Sequence, residues 1–560
     1  MKKFLVALIV GFVTFSAFAQ AEHYTKPAFP HHATAEERQM LGTWYRNVQF
    51  SAPPTGPVSA IAEFQPMAGV MIAYPLGIPV TLVSELSMIT KVKVLVYPAS
   101  DSNSVKSYFA SSGVNMDNIA FWVINHDSYW TRDYGPWFIL DGNDQIAVTD
   151  FTYNRPNRPH DNAAMESIAN LMGLNRYEMP MVQTGGNYMT DGYGTAASTT
   201  LLLTENPNQT ASSLQAIAGN YLGITNYMLL DDPLNDYIEH IDCWGKFLDV
   251  DKVLIGQVPA SDSRYSEYEA VASTFANALT PWGNHYQVFR VYTPGGWSYT
   301  TPYTNSLILN DHVFVPIGGN QWDNAALAVY QQAMPGYTIV PISKNNYSPE
   351  WENTDALHCR THELADPGML YIKHYPLLGS LDLPSTTTLQ AEIKALSGNP
   401  LVSDSLLVYY RTNNGSWQTT PLVGVGGANF EASFPGLQAG DVVDYYIFAK
   451  DESGRRECHP YIGAADPHQF TVLSVGVEDH ATSNTIALYP NPCSRQFTVN
   501  CPKNAQSIEI FDLAGNLIYN TTDCETTTLI NTSGWSTGLY LVRITDKGGS
   551  VHNRKLVKKY

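Results

Sequence analysis

Short apolar runs alternate with longer amphipathic stretches between residues 44 and 375, and no other feature of the chain restricts its fold as strongly. Runs of strand length predict buried or half-buried strands, and the stretches between them predict helices. The predicted strands are 68–74, 92–97, 119–124, 145–151, 200–204, 253–258, 286–291 and 306–316. The predicted helices are 79–90, 162–172, 212–222, 266–278 and 322–334. Strand and helix in regular alternation predict an α/β fold.

The pattern changes near residue 376, where helical periodicity ends. The segments that follow alternate apolar and polar residues between turn signals, which predicts an immunoglobulin-like β-sandwich up to residue 473. Its clearest strands are 405–411, 429–434 and 442–450. A chain of 560 residues is too long for one core. The predicted boundaries are a signal peptide at 1–19, a tail or pro-segment at 20–43, an α/β domain at 44–375, the sandwich at 376–473, a polar linker at 474–485 and an all-β domain at 486–560.

The first nineteen residues carry the features of a secretory signal peptide. Lys2 and Lys3 precede an apolar run at 4–15, and Ala17-Phe18-Ala19 gives the small-x-small cleavage pattern. A membrane anchor is the alternative, but the run is shorter than the roughly 20 residues that span a bilayer. Residues 20–43 are polar without a clear period, and they read either as a mature tail or as a removable pro-segment.

Charge and cysteine spacing exclude several classes of protein. The formal net charge of -19 and the pI near 5.1 argue against a nucleic-acid binder, which normally carries a basic face. The chain has no CxxC pair, so neither a structural zinc site nor a thioredoxin-like redox motif is predicted.

One cysteine lies in a polar stretch flanked by histidine, Asp355-Ala356-Leu357-His358-Cys359-Arg360-Thr361-His362-Glu363. A thiol reacts as the thiolate, which nearby cationic groups favour. A cysteine with histidine and carboxylates from distant segments is the general specification of a covalent hydrolase. Cys359 is therefore the candidate nucleophile.

The stretch Trp130-Thr131-Arg132-Asp133-Tyr134-Gly135-Pro136-Trp137 follows a predicted strand, where an α/β protein places ligand contacts. The Asp133 carboxylate suits a guanidinium group, because it can accept two parallel hydrogen bonds. Trp130 could cover the flat face of such a cation. The alternative is structural, with an aspartate that caps a turn and a tryptophan in the core.

A second candidate stretch is Tyr237-Ile238-Glu239-His240-Ile241-Asp242-Cys243-Trp244-Gly245. If it is a strand, His240, Asp242 and Trp244 share one face while Cys243 points to the other. A histidine beside an aspartate suits general acid–base work. The competing interpretation of His-x-Asp is a zinc site.

Two further stretches are weaker signals. The paired glycines of Gly185-Gly186-Asn187 would let backbone approach a ligand closely, but the same residues make ordinary turns. Arg155 and Arg158 flank a proline and could clamp a carboxylate, although two solvated surface arginines are equally consistent with the sequence.

In their order along the chain, these motifs resemble the guanidine-modifying enzyme superfamily, most closely the secreted, calcium-independent peptidylarginine deiminases of periodontal bacteria. Agmatine deiminases are more distant relatives. The resemblance implies a five-fold pseudo-symmetric α/β propeller for the α/β domain. It also implies that Cys359 is the nucleophile, that His240 is the general acid/base, that Asp133 and Asp242 hold the guanidinium and that Asn305 assists.

The same resemblance implies a substrate pocket and a substrate class. Trp130, Tyr237 and Ile238 would line the pocket, and Arg155 with Arg158 would bind the α-carboxylate of a C-terminal arginine. The implied reaction converts peptidyl arginine to citrulline and ammonia and needs neither a metal nor an organic cofactor. The alternatives are an agmatine or free-arginine deiminase, a surface adhesin that keeps the fold as a binding scaffold, and a zinc hydrolase.

The last segment resembles the C-terminal sorting domain of the type IX secretion system of Bacteroidetes. The features that carry the resemblance are Tyr489-Pro490-Asn491-Pro492, Asp512-Leu513-Ala514-Gly515, Gly538-Leu539-Tyr540 and Lys555-Leu556-Val557-Lys558. It implies export across the outer membrane, with the secretion machinery and arginine-containing peptides and proteins as partners. A plain β-sandwich binding module is the alternative. We expect no nucleic-acid partner and no transmembrane segment.

Overall fold

A computed structural model of the chain describes residues 29–40, 50–235, 238–295, 300–344, 351, 354–382, 388–473, 486–501, 503–522, 524–548 and 551–559. The chain divides into two compact units, Met1–Ser474 and Val475–Tyr560. The predicted signal peptide and linker lie outside the described residues, as does Tyr237.

Five small sheets build the α/β part of the first unit. Each contains an antiparallel pair of strands that a parallel strand continues. In sheet order, the strands are His362–Ala365, Met67–Ala73, Lys91–Val96 and Ile119–Val123; Ser59–Ala60, Trp137–Leu140, Ile146–Tyr153 and Arg176–Gln183; Thr190 with Met189, Thr195–Thr199 and Asn226–Leu230; Gly245–Asp249, Lys252–Gln257 and Gln287–Tyr292; and Leu307–Leu309, His312–Ile317 and Thr338–Ser343. Because His362–Ala365 pairs with Met67–Ala73, the end of this region returns to its beginning.

Helices connect many of the parallel strands, since parallel neighbours need a crossover connection. The longer helices are Val80–Ile89, Asp101–Ser111, Pro159–Met172, Ala211–Leu222, Tyr265–Asn277 and Asp323–Ala333. Shorter helices are Ala35–Met40, Thr131–Tyr134 and Leu201–Glu205, and 3-10 turns lie at Met116–Asn118, Gly185–Asn187, Ile241–Cys243, His358–Arg360, Ser403–Ser405 and Gly463–Ala465. Pro159 begins its helix and Gly173 ends it at a φ of 69°, the usual residue types at these two ends.

The structure confirms all five predicted helices and most predicted strands of the α/β region, but it corrects two of them. Residues 200–204 were predicted to form a strand, whereas Leu201–Glu205 is a helix and the strand is Thr195–Thr199. Periodicity cannot separate a short apolar run in a strand from one in a helix. The single strand predicted at 306–316 is a hairpin that turns at Asn310, whose φ is 54°.

The rest of the first unit is all-β, with an apolar core of its own that includes Leu389, Val408 and Val443. One sheet contains Leu370–Lys373, Thr388–Ala395, Asn429–Ser433 and Val423–Gly426, and the other contains Gly379–Asp382, His468–Leu473, Val442–Lys450, Leu407–Thr412, Gln418–Pro421 and Arg456–His459. The predicted strands are confirmed within two residues. Buried polar contacts join this part to the α/β part, among them the 2.7 Å hydrogen bond between Tyr193 Oη and His459 Nε2.

The second unit is built from two antiparallel sheets around a core that includes Phe497, Ile508 and Val542. Its strands are Ala487–Tyr489, Gln496–Asn500 and Thr527–Asn531 in one sheet, and Leu517–Thr521, Ala505–Phe511, Gly538–Asp546 and Val551–Lys558 in the other. Among the helices of the described residues, none has the length and apolar character to span a bilayer.

Candidate active site

The predicted site residues come from turns that precede strands in all five sheets of the α/β part. Asp133 lies in the helix Thr131–Tyr134, Gly186 in the turn Gly185–Asn187, Asp242 in Ile241–Cys243 and Cys359 in His358–Arg360. Asn305 stands two residues before its strand. Each turn therefore delivers one functional group from one sheet, which brings together residues more than two hundred positions apart.

Cys359 is fully buried and held by Asn305. Asn305 Nδ2 donates to the Cys359 sulfur at 3.0 Å, and Asn305 Oδ1 accepts the Cys359 backbone N–H at 3.2 Å. Asp242 Oδ2 lies 3.3 Å from the sulfur as the acceptor for the thiol. Burial raises the pKa of Cys359 well above its ordinary value, so the thiol keeps its proton in this arrangement.

A chain of charged groups leads away from Asp242. His358 Nδ1 donates to Asp242 Oδ2 at 2.7 Å, and His358 Nε2 lies 3.1 Å from Glu63 Oε2, which also accepts from Lys246 at 2.5 Å. Burial favours the neutral acid, but the hydrogen bond and the charge of His358 lower the pKa of Asp242. The carboxylate thus stays ionised and fixed in orientation beside the sulfur.

The structure corrects the predicted strand at 237–245. Ile241–Cys243 is a 3-10 turn, in which successive side chains fan out around the axis instead of alternating. The expectation that Cys243 points away from the site is wrong, because its sulfur lies 3.7 Å from Asp242 Oδ1. The ligand atoms of Asp242, Cys243 and Cys359 all lie within 4.8 Å of one another.

His240 precedes that turn and is fully buried. Its Nδ1 lies 3.6 Å from Asp133 Oδ1, and neither ring nitrogen has a hydrogen-bond partner within the described part of the chain. Burial lowers the pKa of His240 to about 3, although Asp133 opposes the shift, so the ring is neutral. The preceding Glu239 has a φ of 57°, uncommon for a residue with a side chain and typical of functional sites.

Trp130, Asp133, His240, Asp355 and Cys359 bound a space that we call the central pocket. The side chain of His31 fills it. Its ring stacks on Trp130 with centroids 4.3 Å apart, its Nε2 lies 2.9 Å from Asp133 Oδ2, and its Nδ1 lies 3.2 Å from Asp355 Oδ2. The central pocket therefore holds a flat ring between two carboxylates and an indole.

Arg155 and Arg158 are buried instead of solvated, in the loop between Ile146–Tyr153 and Pro159–Met172. Arg155 donates through Nη2 to the main-chain carbonyl of His31 at 3.0 Å. Arg158 donates through Nη2 to the carbonyl of Pro30 at 2.7 Å. Both guanidinium groups thus contact main-chain oxygens next to the residue that occupies the central pocket.

Gly186 shows why the paired glycines are needed here. A Cβ on Gly186 would lie 2.6 Å from His240 Nδ1 and 2.8 Å from Asp133 Oδ1, closer than real Cβ contacts. Any other residue would push into the two groups that face the central pocket. Ile238 is buried beside His240 in the sequence, as a pocket-lining residue should be, whereas the prediction for Tyr237 falls outside the described residues.

Three sets of side chains have the donor types and spacing to hold a metal ion. They are His31, Asp355 and Cys359; His31, Asp133 and His240; and Asp242, Cys243 and Cys359. Imidazole, thiolate and carboxylate are the ligands of zinc. A chelator arm therefore belongs in every activity measurement on this protein.

Sequence reasoning missed Asp355, Glu63 and the orienting contact from His358. Asp355 faces the central pocket and also accepts from Arg360 Nε at 3.2 Å. The available signal was a carboxylate four residues before the candidate cysteine, within the stretch that had already been singled out. Glu63 had no local signal, because it lies almost three hundred residues from His358.

Comparison with known proteins assigns both units. Residues 487–559 match the model of the secretion system C-terminal sorting domain. This match confirms the predicted sorting domain and indicates secretion with attachment at the outer-membrane surface.

The first unit resembles deiminases in sequence and in fold. The agmatine deiminase of Ectopseudomonas mendocina is 24% identical over 298 residues, covering 46% of this chain and 80% of that relative. The solved agmatine deiminase of Enterococcus faecalis has a TM-score of 0.50 at 19% identity, over 58% of this chain and 100% of that one. At this identity the likeness establishes the α/β fold alone.

A family model settles the assignment of the first unit. Residues 61–364, more than half of the chain, match the model of the Porphyromonas-type peptidyl-arginine deiminase. This match and the deiminase relatives confirm the resemblance that the motifs indicated. The chain therefore belongs to the Porphyromonas-type peptidyl-arginine deiminase family and is a deiminase of guanidino groups.

Proposed function

We propose that this protein hydrolyses peptidyl arginine, preferably at a peptide C-terminus, to peptidyl citrulline and ammonia. The observation that carries the proposal is the pairing of two recognition elements. The central pocket suits a flat cation, and Arg155 and Arg158 hold main-chain oxygens of the residue in that pocket and of its neighbour. A C-terminal arginine offers both a guanidinium and a carboxylate in this relation. Free arginine, which has the same two groups, is a second substrate.

The proposed chemistry begins with Cys359. Its thiolate adds to the guanidinium carbon, and the adduct expels one amine nitrogen as ammonia, leaving a covalent S-alkylthiouronium. Water then adds to the same carbon, and the Cys359 thiolate leaves, so the product is the ureido group of citrulline. Asp133, Asp242 and Asp355 surround the position of the cation and supply the orientation that this addition needs.

The proton balance follows from the charge states. His240 is neutral, so it can accept the proton that Cys359 loses and then donate it to the departing amine. It afterwards takes a proton from the attacking water. Asn305 holds the sulfur through its 3.0 Å hydrogen bond. No step in this scheme calls for a metal or an organic cofactor.

The clamp provides the test of substrate class. We expect Arg155→Gln and Arg158→Gln each to lower kcat/KM about tenfold to a hundredfold for a peptide that ends in arginine, because each removes a charge-assisted hydrogen bond. The same peptide with a C-terminal amide should lose less than about threefold, since it presents no carboxylate. Citrulline release is measured with and without chelator, on the wild type and on His31→Ala, in which the central pocket is vacated.

Each alternative predicts a different result in that assay. Agmatine has no carboxylate, so an agmatine deiminase would prefer agmatine and would be indifferent to both arginine substitutions. A zinc hydrolase would lose activity with chelator. An adhesin would release no citrulline from any substrate, even as His31→Ala, and that result would remove the proposal.

His358 is a positioning residue in this proposal, because it acts through Asp242. His358→Leu leaves a buried carboxylate without its donor, which costs about 1–3 kcal/mol and should lower kcat about tenfold to a hundredfold. His358→Gln retains a donor and should recover much of the loss. A role in stability alone would lower the melting temperature of both variants while leaving kcat of the folded fraction unchanged.

We also propose that the five sheets are the repeats of a five-fold pseudo-symmetric propeller, since each has an antiparallel pair continued by a parallel strand. We propose that the all-β part is immunoglobulin-like, on the support of its two sheets around one core. The domain boundaries stay as predicted, except that residues 29–40 of the N-terminal tail pack against the α/β domain.

A further inference from the structure

Residues 29–40, which we call the N-terminal segment, lie in the site where the proposed substrate would bind. Trp130 Nε1 donates to the carbonyl of Phe29 at 2.8 Å, and His31 enters the central pocket with no exposed surface. The helix Ala35–Met40 follows directly. The sequence offered two interpretations of this region, a tail or a pro-segment, and neither placed it here.

His31 makes the contacts that the guanidinium of an arginine would make. Its ring is flat, stacks on Trp130 at an interplanar angle of 16° and lies between the carboxylates of Asp133 and Asp355. The nitrogen of His31 nearest to Cys359 lies within 4.8 Å of the sulfur, where the carbon under attack would have to be. Imidazole has no amine that can leave, so Cys359 cannot convert it.

The main chain of the N-terminal segment occupies the clamp. Arg155 holds the His31 carbonyl, and Arg158 holds the carbonyls of Pro30 and His32 at 2.7 and 3.2 Å. The buried Glu37 carboxylate lies 3.3 Å from Arg158 Nε, in the position of an anionic ligand of the clamp. Both recognition elements of the proposed substrate are therefore engaged at once.

Local hydrogen bonds hold Glu37 in place. Its carboxylate accepts the backbone N–H of Thr34 at 2.8 Å, and the Thr34 hydroxyl accepts the backbone N–H of Glu37 at 3.2 Å. This reciprocal pair is the usual capping box at the start of a helix. It fixes the spacing between the ring in the central pocket and the carboxylate on Arg158.

We infer that the N-terminal segment is an internal, non-reacting substrate analogue that keeps this deiminase latent until the segment is displaced or removed. The inference rests on the proposed function for the meaning of latency, but the occupied pocket is an observation of the structure alone. Because the segment is part of the chain, its effective concentration is about millimolar or higher, and a free peptide has to compete with it.

The charge of His31 makes the contact sensitive to pH. Burial opposes the cation, but Asp133 and Asp355 outweigh it and raise the pKa of His31 to about 10. The other titratable groups that face the ring are His240 and Cys359, and Arg155 lies on the His31 carbonyl. A raised pKa stabilises the bound segment fully below about 6.5, and this stabilisation is lost as the pH rises towards 10. An arginine substrate keeps its charge over this range.

The test compares single substitutions in the full exported chain. His31→Ala should raise kcat/KM for a peptide ending in arginine at least about tenfold, mainly through a lower KM, because the competent state becomes the major one. Glu37→Gln should give a smaller rise of the same kind. Its matched control is Glu36→Gln, a neighbouring exposed carboxylate on the same helix, which should leave KM unchanged.

A second readout does not depend on deimination. Alkylation of Cys359 by iodoacetamide, followed by mass spectrometry of the peptide that contains it, should be at least about tenfold faster in His31→Ala than in the wild type. The synthetic peptide of residues 29–40, added to His31→Ala, should slow alkylation again, and the same peptide with alanine for its histidine at 31 should not. The wild-type rate should rise relative to His31→Ala between pH 6.5 and 10.

The outcomes separate the two proposals. Faster alkylation without citrulline from any substrate would keep the internal ligand and remove the proposed function. Citrulline release with equal KM and equal alkylation rates in wild type and His31→Ala would keep the function and overturn the inference. If His31→Ala fails to fold, Glu37→Gln against Glu36→Gln decides, and identical values for that pair overturn it.

Discussion

Cys359→Ala is expected to lower citrulline release by at least about 10,000-fold, because the covalent route is lost with the nucleophile. The matched control is Cys243→Ala, which removes the second buried thiol near Asp242. Its activity should stay within about fivefold of the wild type, since only Cys359 receives the Asn305 hydrogen bond. Initial rates are measured in the His31→Ala background, and the trapped adduct is located by mass spectrometry.

The pair also decides between the two cysteines that the fold brings together. An adduct on Cys243, or a larger loss in Cys243→Ala than in Cys359→Ala, would contradict the assignment of the nucleophile. Equal, modest losses in both variants would contradict covalent catalysis altogether. Circular dichroism of the two variants controls for misfolding, since both sulfurs are buried.

Asp133→Asn should lower kcat/KM for a peptide ending in arginine about 100-fold to 10,000-fold. The change removes one carboxylate from a buried cation site, a loss of about 3–5 kcal/mol, while keeping the shape of the side chain. Although burial opposes ionisation, His31 and His240 hold the pKa of Asp133 below its usual range, so it acts as an anion at any working pH. Steady-state kinetics on saturating and limiting peptide measure the effect.

Asp133 also binds His31, which gives this variant a distinctive pair of results. In the full chain, deimination should fall while alkylation of Cys359 rises, because the carboxylate that holds the N-terminal segment is gone. The control is Asp144→Asn, the same change at an exposed carboxylate whose φ of 59° an asparagine tolerates. An unchanged kcat/KM in Asp133→Asn would mean that the cation binds elsewhere.

The separate segments of the site could be found from the sequence because each has a local signal. Trp130 and Asp133 follow a strand on a Gly/Pro turn, His240 and Asp242 are two residues apart, and Cys359 lies between histidines. The family resemblance then supplied their roles and their relation. Sequence patterns also located the helices, whose 3.6-residue period repeats over several turns and leaves little ambiguity.

What failed was mostly short. A run of five residues at 200–204 carries too little periodicity to separate strand from helix, and the 3-10 turn at Ile241–Cys243 carries none. The face assigned to Cys243 was therefore wrong. Asp355 was missed for another reason, since its importance comes from facing Asp133 across the central pocket and not from its neighbours in the sequence.

The sequence by itself determined the α/β class, the change to all-β structure near residue 376, the sorting domain and the identity of the reactive groups. These depend on local periodicity and on motifs, which are properties of consecutive residues. Only the tertiary structure decided that His31 fills the central pocket and that Arg155 and Arg158 are buried against its main chain. The contacts of the N-terminal segment join residues more than a hundred positions apart, and closure of the five sheets, not any local preference, brings them together.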